Sequence, residues 1–293
     1  MGGDSPYFWS PVFLCVGLAA GRWLASRPEL PAIVVLAISV TLISLVTSGA
    51  GAAAAPLGYA NANAALGIQL AVVAGLVAVR RTGPARLALA LAALGALTIP
   101  VFSASKAGVT VSLIVVLAGA VAASRRAMPK GLPLSLGPLS VAVAAGAVAW
   151  AASIARLPDI AELAVDPVRH RLWRDAFTLW QQSPIGGSGP GSFARFSPLA
   201  ADPDTSTAHS SVLQVAAETG VIGVGLFALL VALGFVFAGK STRHGTWLAV
   251  AAWTALAIHS FSDHLLEFPA VVFTAGVVLG LAGRLRTAPN LPG

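Results

Sequence analysis

The feature that most constrains this chain is a series of long apolar runs separated by mostly short polar connections. An apolar helix needs about 20 residues to cross a bilayer, and stretches such as 30–48 and 107–124 approach that length without a charged residue. Backbone polar groups in hydrocarbon must be satisfied internally, so runs of this length can only be helices. Nine spans can be drawn, at 8–24, 30–48, 62–79, 86–103, 107–124, 134–153, 209–238, 245–263 and 268–284. Composition agrees: 57% of residues are hydrophobic, 10% are charged, and the mean hydropathy is +0.83. A soluble domain carries far more charge. The expected fold is an all-α polytopic transmembrane helix bundle, one domain over 1–293, with a single long loop at 154–208. Cys15 is the only cysteine, which excludes an internal disulfide or a thiolate zinc cluster. Asp4 and the missing basic leader make a cleaved signal peptide unexpected.

The cations set an expected orientation. Alternate connections carry Arg22 and Arg27; Arg80, Arg81 and Arg86; Arg125, Arg126 and Lys130; Lys240 and Arg243; Arg284 and Arg286. These are most of the 18 Lys and Arg residues, and Glu29 is the acid beside them. The positive-inside rule makes that side cytoplasmic, with the N-terminus outside and the C-terminus inside. The basic balance then reflects topology rather than nucleic-acid binding. Six cations fall on the opposite side, where they are disfavoured: Lys106, Arg156, Arg169, Arg171, Arg174 and Arg195. Five of them lie in the long loop.

Within that loop, Pro167 to Gln182 has the pattern of an amphipathic helix with Asp166 as N-cap. Leu172, Trp173, Ala176, Leu179 and Trp180 form its apolar stripe, and Arg169 shares the face of Trp173. An interfacial helix facing lipid phosphates explains Arg171 and Arg174 equally well. The stretch 183–193 then brings glycines at 186, 187, 189 and 191. Their backbone N–H groups could cradle an anion, but a plain tight turn is the better reading of the glycines alone. Ser206 or Thr207 can cap the helix that follows, placing His209 in its first turn. There the helix dipole disfavours imidazolium and leaves a neutral ring suited to general-base work. Glu218, further along, needs a partner to be tolerated in an apolar helix.

Asn61 and Asn63 open the third span, Lys106 opens the fifth, and His259, Asp263, His264 and Glu267 close the eighth, all on the expected outer side. His259 and Asp263 have i,i+4 spacing, yet two or three ligands without a wider pattern make a weak case for zinc.

Taken in order, these residues resemble the O-antigen ligase/polymerase family of polytopic bacterial envelope enzymes. The likeness rests on Arg169-x-x-x-Trp173, Pro184-Ile185-x-Gly187-x-Gly189 with Phe193, and His209-Ser210-x-x-Leu213-Gln214-x-x-x-Glu218-x-Gly220. Asn61-x-Asn63-x-Ala65 and Ser105-Lys106-x-Gly108 add to it, with Lys106 where the family usually has Arg. The resemblance implies a glycosyltransferase that moves a saccharide from a polyprenyl (undecaprenyl) diphosphate carrier to an acceptor hydroxyl. The acceptor would be glycan, lipid or protein, and the reaction would take place on the outer face of the cytoplasmic membrane. It implies that His209 activates the acceptor and that Lys106, Arg169, Gly187 and Gly189 bind the diphosphate, supported by Asn63, Arg195, Gln214 and Glu218. It implies no metal and no cofactor. Family members usually have more than nine spans, so the resemblance also implies a chain shortened at its front or given too late a start.

A lipid-linked glycan transporter or flippase without chemistry is the alternative. Transporters gather ionisable residues near the bilayer midplane, whereas here they gather at the expected outer boundary. That difference favours the enzyme.

Overall fold

A computed structural model describes residues 6–27, 30–49, 55–124, 129–163 and 165–283. Arg125, Arg126, Arg284 and Arg286, counted above among the cytoplasmic cations, lie outside the described residues, as do Glu29, Asp4 and the end of the ninth drawn span. The described helices are α1 (Ser10–Ala25), α2 (Leu30–Ser48), α3 (Ala60–Ala78), α4 (Gly83–Ala96), α5 (Ile99–Phe102), α6 (Lys106–Ala123), α7 (Gly131–Ser153), α8 (Asp159–Glu162), α9 (Pro167–Gln182), α10 (Ser192–Phe196), α11 (Ser211–Gly239), α12 (Arg243–Phe261) and α13 (Pro269–Gly283). No strand occurs among the described residues. Seven helical stretches there are long and apolar enough to cross a membrane: Tyr7–Ala25, α2, α3, Gly83–Phe102, α6, α7 and α11. The chain is thus an all-α, polytopic membrane protein.

Two compact units divide the chain, and their boundaries run through α7, α11 and α12. One unit contains Leu139–Ala232 and Ala257–Glu267, together with Tyr7 and Phe8; the other contains Trp9–Pro138, Leu233–Leu256 and the residues from Phe268.

In the second unit α3 is buried along nearly all its length, with α2, α4, α5, α6 and α13 against it. Its polar side chains lower its hydropathy, but they are used inside. Gln69 Nε2 donates to the Ala252 carbonyl of α12 at 3.0 Å, and Asn63 Oδ1 accepts from Leu57 N at 3.2 Å. Along α1 and α13 the two backbones meet through Gly17 and Gly21 on one side and Gly276 and Gly280 on the other. A Cβ at any of the four would strike the facing backbone. This is the small-residue packing that brings helices together in lipid. Ser105 caps α6 by accepting from Gly108 N at 2.9 Å and also donates to Asn61 Oδ1, while Gly108 lets α6 lie against Ala64 of α3.

In the first unit, α11 is not one continuous helix. Gly220 adopts φ 65° and ψ −162° and breaks it. Ahead of the break, the Ala217 and Glu218 carbonyls accept from Ser188 N at 2.9 Å and Gly189 N at 3.0 Å; beyond it, Val221 N donates to Pro184 O at 2.8 Å. The helix ends freed by the break are thus satisfied by the glycine-rich segment. A Cβ on Gly220 would also collide with the Ile185 carbonyl. Gly220→Ala is therefore expected to cost more than about 2 kcal/mol, combining left-handed strain with the displaced loop. Thermal unfolding of the purified protein in detergent measures this, and an unchanged midpoint would contradict it.

Candidate functional site

Helix α9 carries the first side chain of the site. Asp166 Oδ1 accepts from Val168 N at 2.8 Å and Arg169 N at 3.4 Å, and Pro167 stands in the first turn. Leu172, Trp173, Ala176 and Leu179 are buried, whereas Arg171 and Arg174 are exposed. Arg169 turns with the buried face. Its Nη1 donates to the Ser262 carbonyl at 2.6 Å and its Nη2 to Asp263 Oδ2 at 3.1 Å. The side chain keeps 24% exposure, while Asp263 has none.

Helix α12 ends at Phe261, so Asp263 lies beyond it and its i,i+4 spacing from His259 is not that of one helix face. Instead Asp263 is the hub of the site. Its Oδ2 takes Arg169, and its Oδ1 takes His264 N at 2.8 Å and His264 Nδ1 at 2.9 Å, with His209 Nδ1 at 3.6 Å. Its backbone carbonyl accepts from Ser211 N at 3.0 Å and Ser211 Oγ at 3.1 Å, tying the start of α11 to this turn. Burial pushes the Asp263 carboxyl upward. Hydrogen bonds from His209 and His264 and the charge of Arg169 outweigh that and hold it well below the ordinary carboxylate value. Nearby, burial pushes the Glu267 carboxyl up, against the charge of His264.

His209 is not in the first turn of a helix. Helix α11 begins at Ser211, with Ser210 Oγ accepting from Leu213 N at 3.4 Å, and Ser206 Oγ donates back to Pro203 O instead of capping. The helix-dipole argument for a neutral ring therefore lapses. His209 is held instead in a left-handed conformation at φ 46°, with its carbonyl accepting from Trp173 Nε1 at 3.2 Å. Strain of this kind in a non-glycine residue persists only where its surroundings enforce it, often at functional sites. The ring stands edge-on to His264 at 4.7 Å between centroids, and Nε2 donates to the Asp204 carbonyl at 2.7 Å.

Glu218 supports this arrangement through hydrogen bonds. It is almost fully buried and accepts from Tyr7 Oη at 2.8 Å and Gln214 Nε2 at 2.7 Å. Gln214 Oε1 in turn accepts from Ala208 N at 2.7 Å, fixing the backbone next to His209. A relay of hydrogen bonds thus runs from Tyr7 to the backbone of Ala208, beside His209.

The glycine donors are engaged within the chain. Gly187 N donates to Ser183 O at 2.9 Å and Gly189 N to Glu218 O, so the glycines shape a turn against α11 rather than an open anion cradle. Arg195 is exposed at the end of α10. Lys106 and Asn63 belong to the second unit, where Lys106 is the exposed first residue of α6 and Asn63 is buried at the start of α3.

His209, Asp263 and His264 bring one ligand atom each within 4.8 Å of one another, a set able to hold a metal ion. Arg169 on the second oxygen of the same carboxylate opposes a cation there. Sequence reasoning grouped Asp263 with metal candidates and missed its tie to Arg169 and His209. A costly carboxylate at the end of an apolar run, on the expected side of unexplained arginines, was the available signal. Nothing in the sequence pointed to Tyr7 or to the Asp204 carbonyl.

A buried carboxylate thus joins an arginine to a strained histidine within an all-α polytopic membrane protein. Residues 30–228, more than half of the chain, match the O-antigen ligase family, and the chain belongs to that family. This makes it a multi-pass, glycosyl-transfer protein of envelope polysaccharide biosynthesis, acting on lipid-linked glycans. No curated protein matches the chain.

Proposed function

We propose that the protein transfers a saccharide from a polyprenyl-diphosphate carrier to an acceptor hydroxyl, at the outer face of the bacterial cytoplasmic membrane, without a metal. The observation that carries this reading is the Arg169–Asp263–His209 connection. In the reaction, the acceptor oxygen attacks the anomeric carbon as the bond from that carbon to the diphosphate oxygen breaks. Polyprenyl diphosphate leaves with the bonding electrons, and the acceptor proton passes to His209. For Nε2 to receive it, the acceptor hydroxyl takes the place of the Asp204 carbonyl. Nδ1 then faces Asp263, whose negative charge stabilises the imidazolium that forms.

Arg169 has guanidinium N–H groups beyond the two that brace Ser262 and Asp263, and its partial exposure lets them meet the leaving diphosphate. Lys106 remains a proposed diphosphate contact from the sequence likeness. The proposed topology places the 154–208 loop outside, with the N-terminus outside and the C-terminus inside, in keeping with the cation distribution.

Arg169→Lys keeps the charge and loses the fork. It is expected to slow transfer about tenfold or more and to raise the KM for donor. The function itself is tested with purified protein in liposomes, given a polyprenyl-diphosphate glycan and an acceptor. Coupled glycan product and free polyprenyl diphosphate are expected; movement of intact lipid across the bilayer without product would overturn the reading.

A further inference from the structure

The second unit contains a cavity of about 910 Å³ between α3, α4, α6 and α12, lined by none of the candidate-site residues. Neighbouring contacts fix how its walls run. Gln69 meets Ala252 and Gly75 faces Leu248, so α12 runs opposite to α3. Gly67 abuts Ile99 just past α4, so α4 also runs opposite, whereas Ala64 against Gly108 sets α6 parallel. One end of the cavity therefore gathers the close of α3 and α6 and the start of α4 and α12. That end holds Arg86, Arg243 and His244, all exposed, beside Ser124. No carboxylate lines the cavity among the described residues. Deeper in, its walls are apolar, formed by side chains such as Val72, Leu94, Leu97, Val115 and Leu248.

Its dimensions fit one kind of occupant. From Arg86 to Leu97 the α4 wall rises roughly 16 Å, close to half of a hydrocarbon core about 30 Å thick. A groove one leaflet deep accepts an acyl chain that starts at the headgroup level and ends near the midplane. A polyprenyl chain is too long for it. Two arginines at the mouth without a neighbouring carboxylate call for a phosphate, and basic pockets between spanning helices on the cytoplasmic side are suited to anionic headgroups. By the cation distribution, this is the side that the sequence marks as cytoplasmic.

We propose that this cavity is a binding site for an anionic glycerophospholipid, with an acyl chain between α3, α4, α6 and α12 and the phosphate held by Arg86 and Arg243. The site is separate from the transfer chemistry, and its test does not depend on activity.

Native mass spectrometry of the purified full chain, titrated with phosphatidylglycerol or phosphatidylcholine, reads the selectivity. The intact protein is expected to retain phosphatidylglycerol about tenfold or more in preference, and Arg86→Ala with Arg243→Ala to bring the two lipids level. Both arginines are exposed, so the variant should fold, and a matching melting midpoint checks that it does. Gly119 lines the cavity, and a Cβ there meets nothing within 4 Å. Gly119→Phe should therefore lower retention of both lipids by filling the groove. Equal retention of the two lipids by the unaltered protein, a preference that survives loss of both arginines, or displacement of phosphatidylglycerol by polyprenyl phosphate at an equal concentration would each overturn the proposal.

Discussion

His209→Ala is expected to lower glycan transfer by about 10²–10⁴-fold, the range that a positioned general base contributes. The fold should tolerate it. The backbone of His209 is held by Trp173 through its carbonyl, and the flanking backbone is held by Gln214 at Ala208 and by the Ser210 cap. What the variant removes is the ring between Asp204 and Asp263. Donor affinity should change little, because the cation assigned to the diphosphate is Arg169. Rates and donor KM from the liposome assay separate these effects, and a variant with raised KM but normal turnover would assign His209 to binding instead.

Asp263→Asn is expected to cause a loss of similar size, through both neighbours at once. The amide cannot stabilise an imidazolium as a carboxylate does, and it pairs with Arg169 less strongly. With this carboxylate hub removed, stability should fall by about 1–3 kcal/mol, the range for losing charge-assisted bonds in a buried position. The pH dependence has a definite sign. Because the Asp263 carboxyl is held below its unfolded value, its stabilising contribution is complete above that value and is lost only as pH falls through the lower folded one. The gap in melting midpoint between protein and variant should therefore hold steady near neutral pH and into mild acid, and close only in strong acid. A gap that closes near pH 6 would contradict this.

Much of the architecture was legible because its causes are local. Uncharged apolar runs dictate helices in lipid, and the Asp166-Pro167 start with a 3.6-residue stripe dictated α9 within the loop. Helix α3 owes its low hydropathy to Asn61, Asn63 and Gln69. They are buried, and for Asn61 and Gln69 the partners, Ser105 and Ala252, lie far along the chain, which no local pattern reveals.

At the site, Arg169, His209 and Glu218 stood out as charge and chemistry out of place, and Gln214 came with the family resemblance. The local reading failed where distant segments meet. The cap of α11 is Ser210 rather than Ser206 or Thr207, because Asp263 draws Ser211 into the turn after α12, 52 positions away in sequence. The glycine segment forms the turn its glycines suggested, but its Ser188 and Gly189 N–H groups also satisfy the broken end of α11, and the break at Gly220 shows only in the backbone angles. Tyr7 reaches Glu218 across 211 positions, a contact without a sequence signature.

The central claim is that His209 and Asp263 act as one unit in glycan transfer. Its most direct test is a double-mutant cycle on transfer rate with His209→Ala, Asp263→Asn and the combined variant, each shown to be folded. If the two act as a unit, the losses should fall far short of multiplying: the combined variant should be slower than His209→Ala alone only by the part of the Asp263→Asn loss that runs through Arg169. Losses that multiply would contradict the account and make Asp263 an independent contributor.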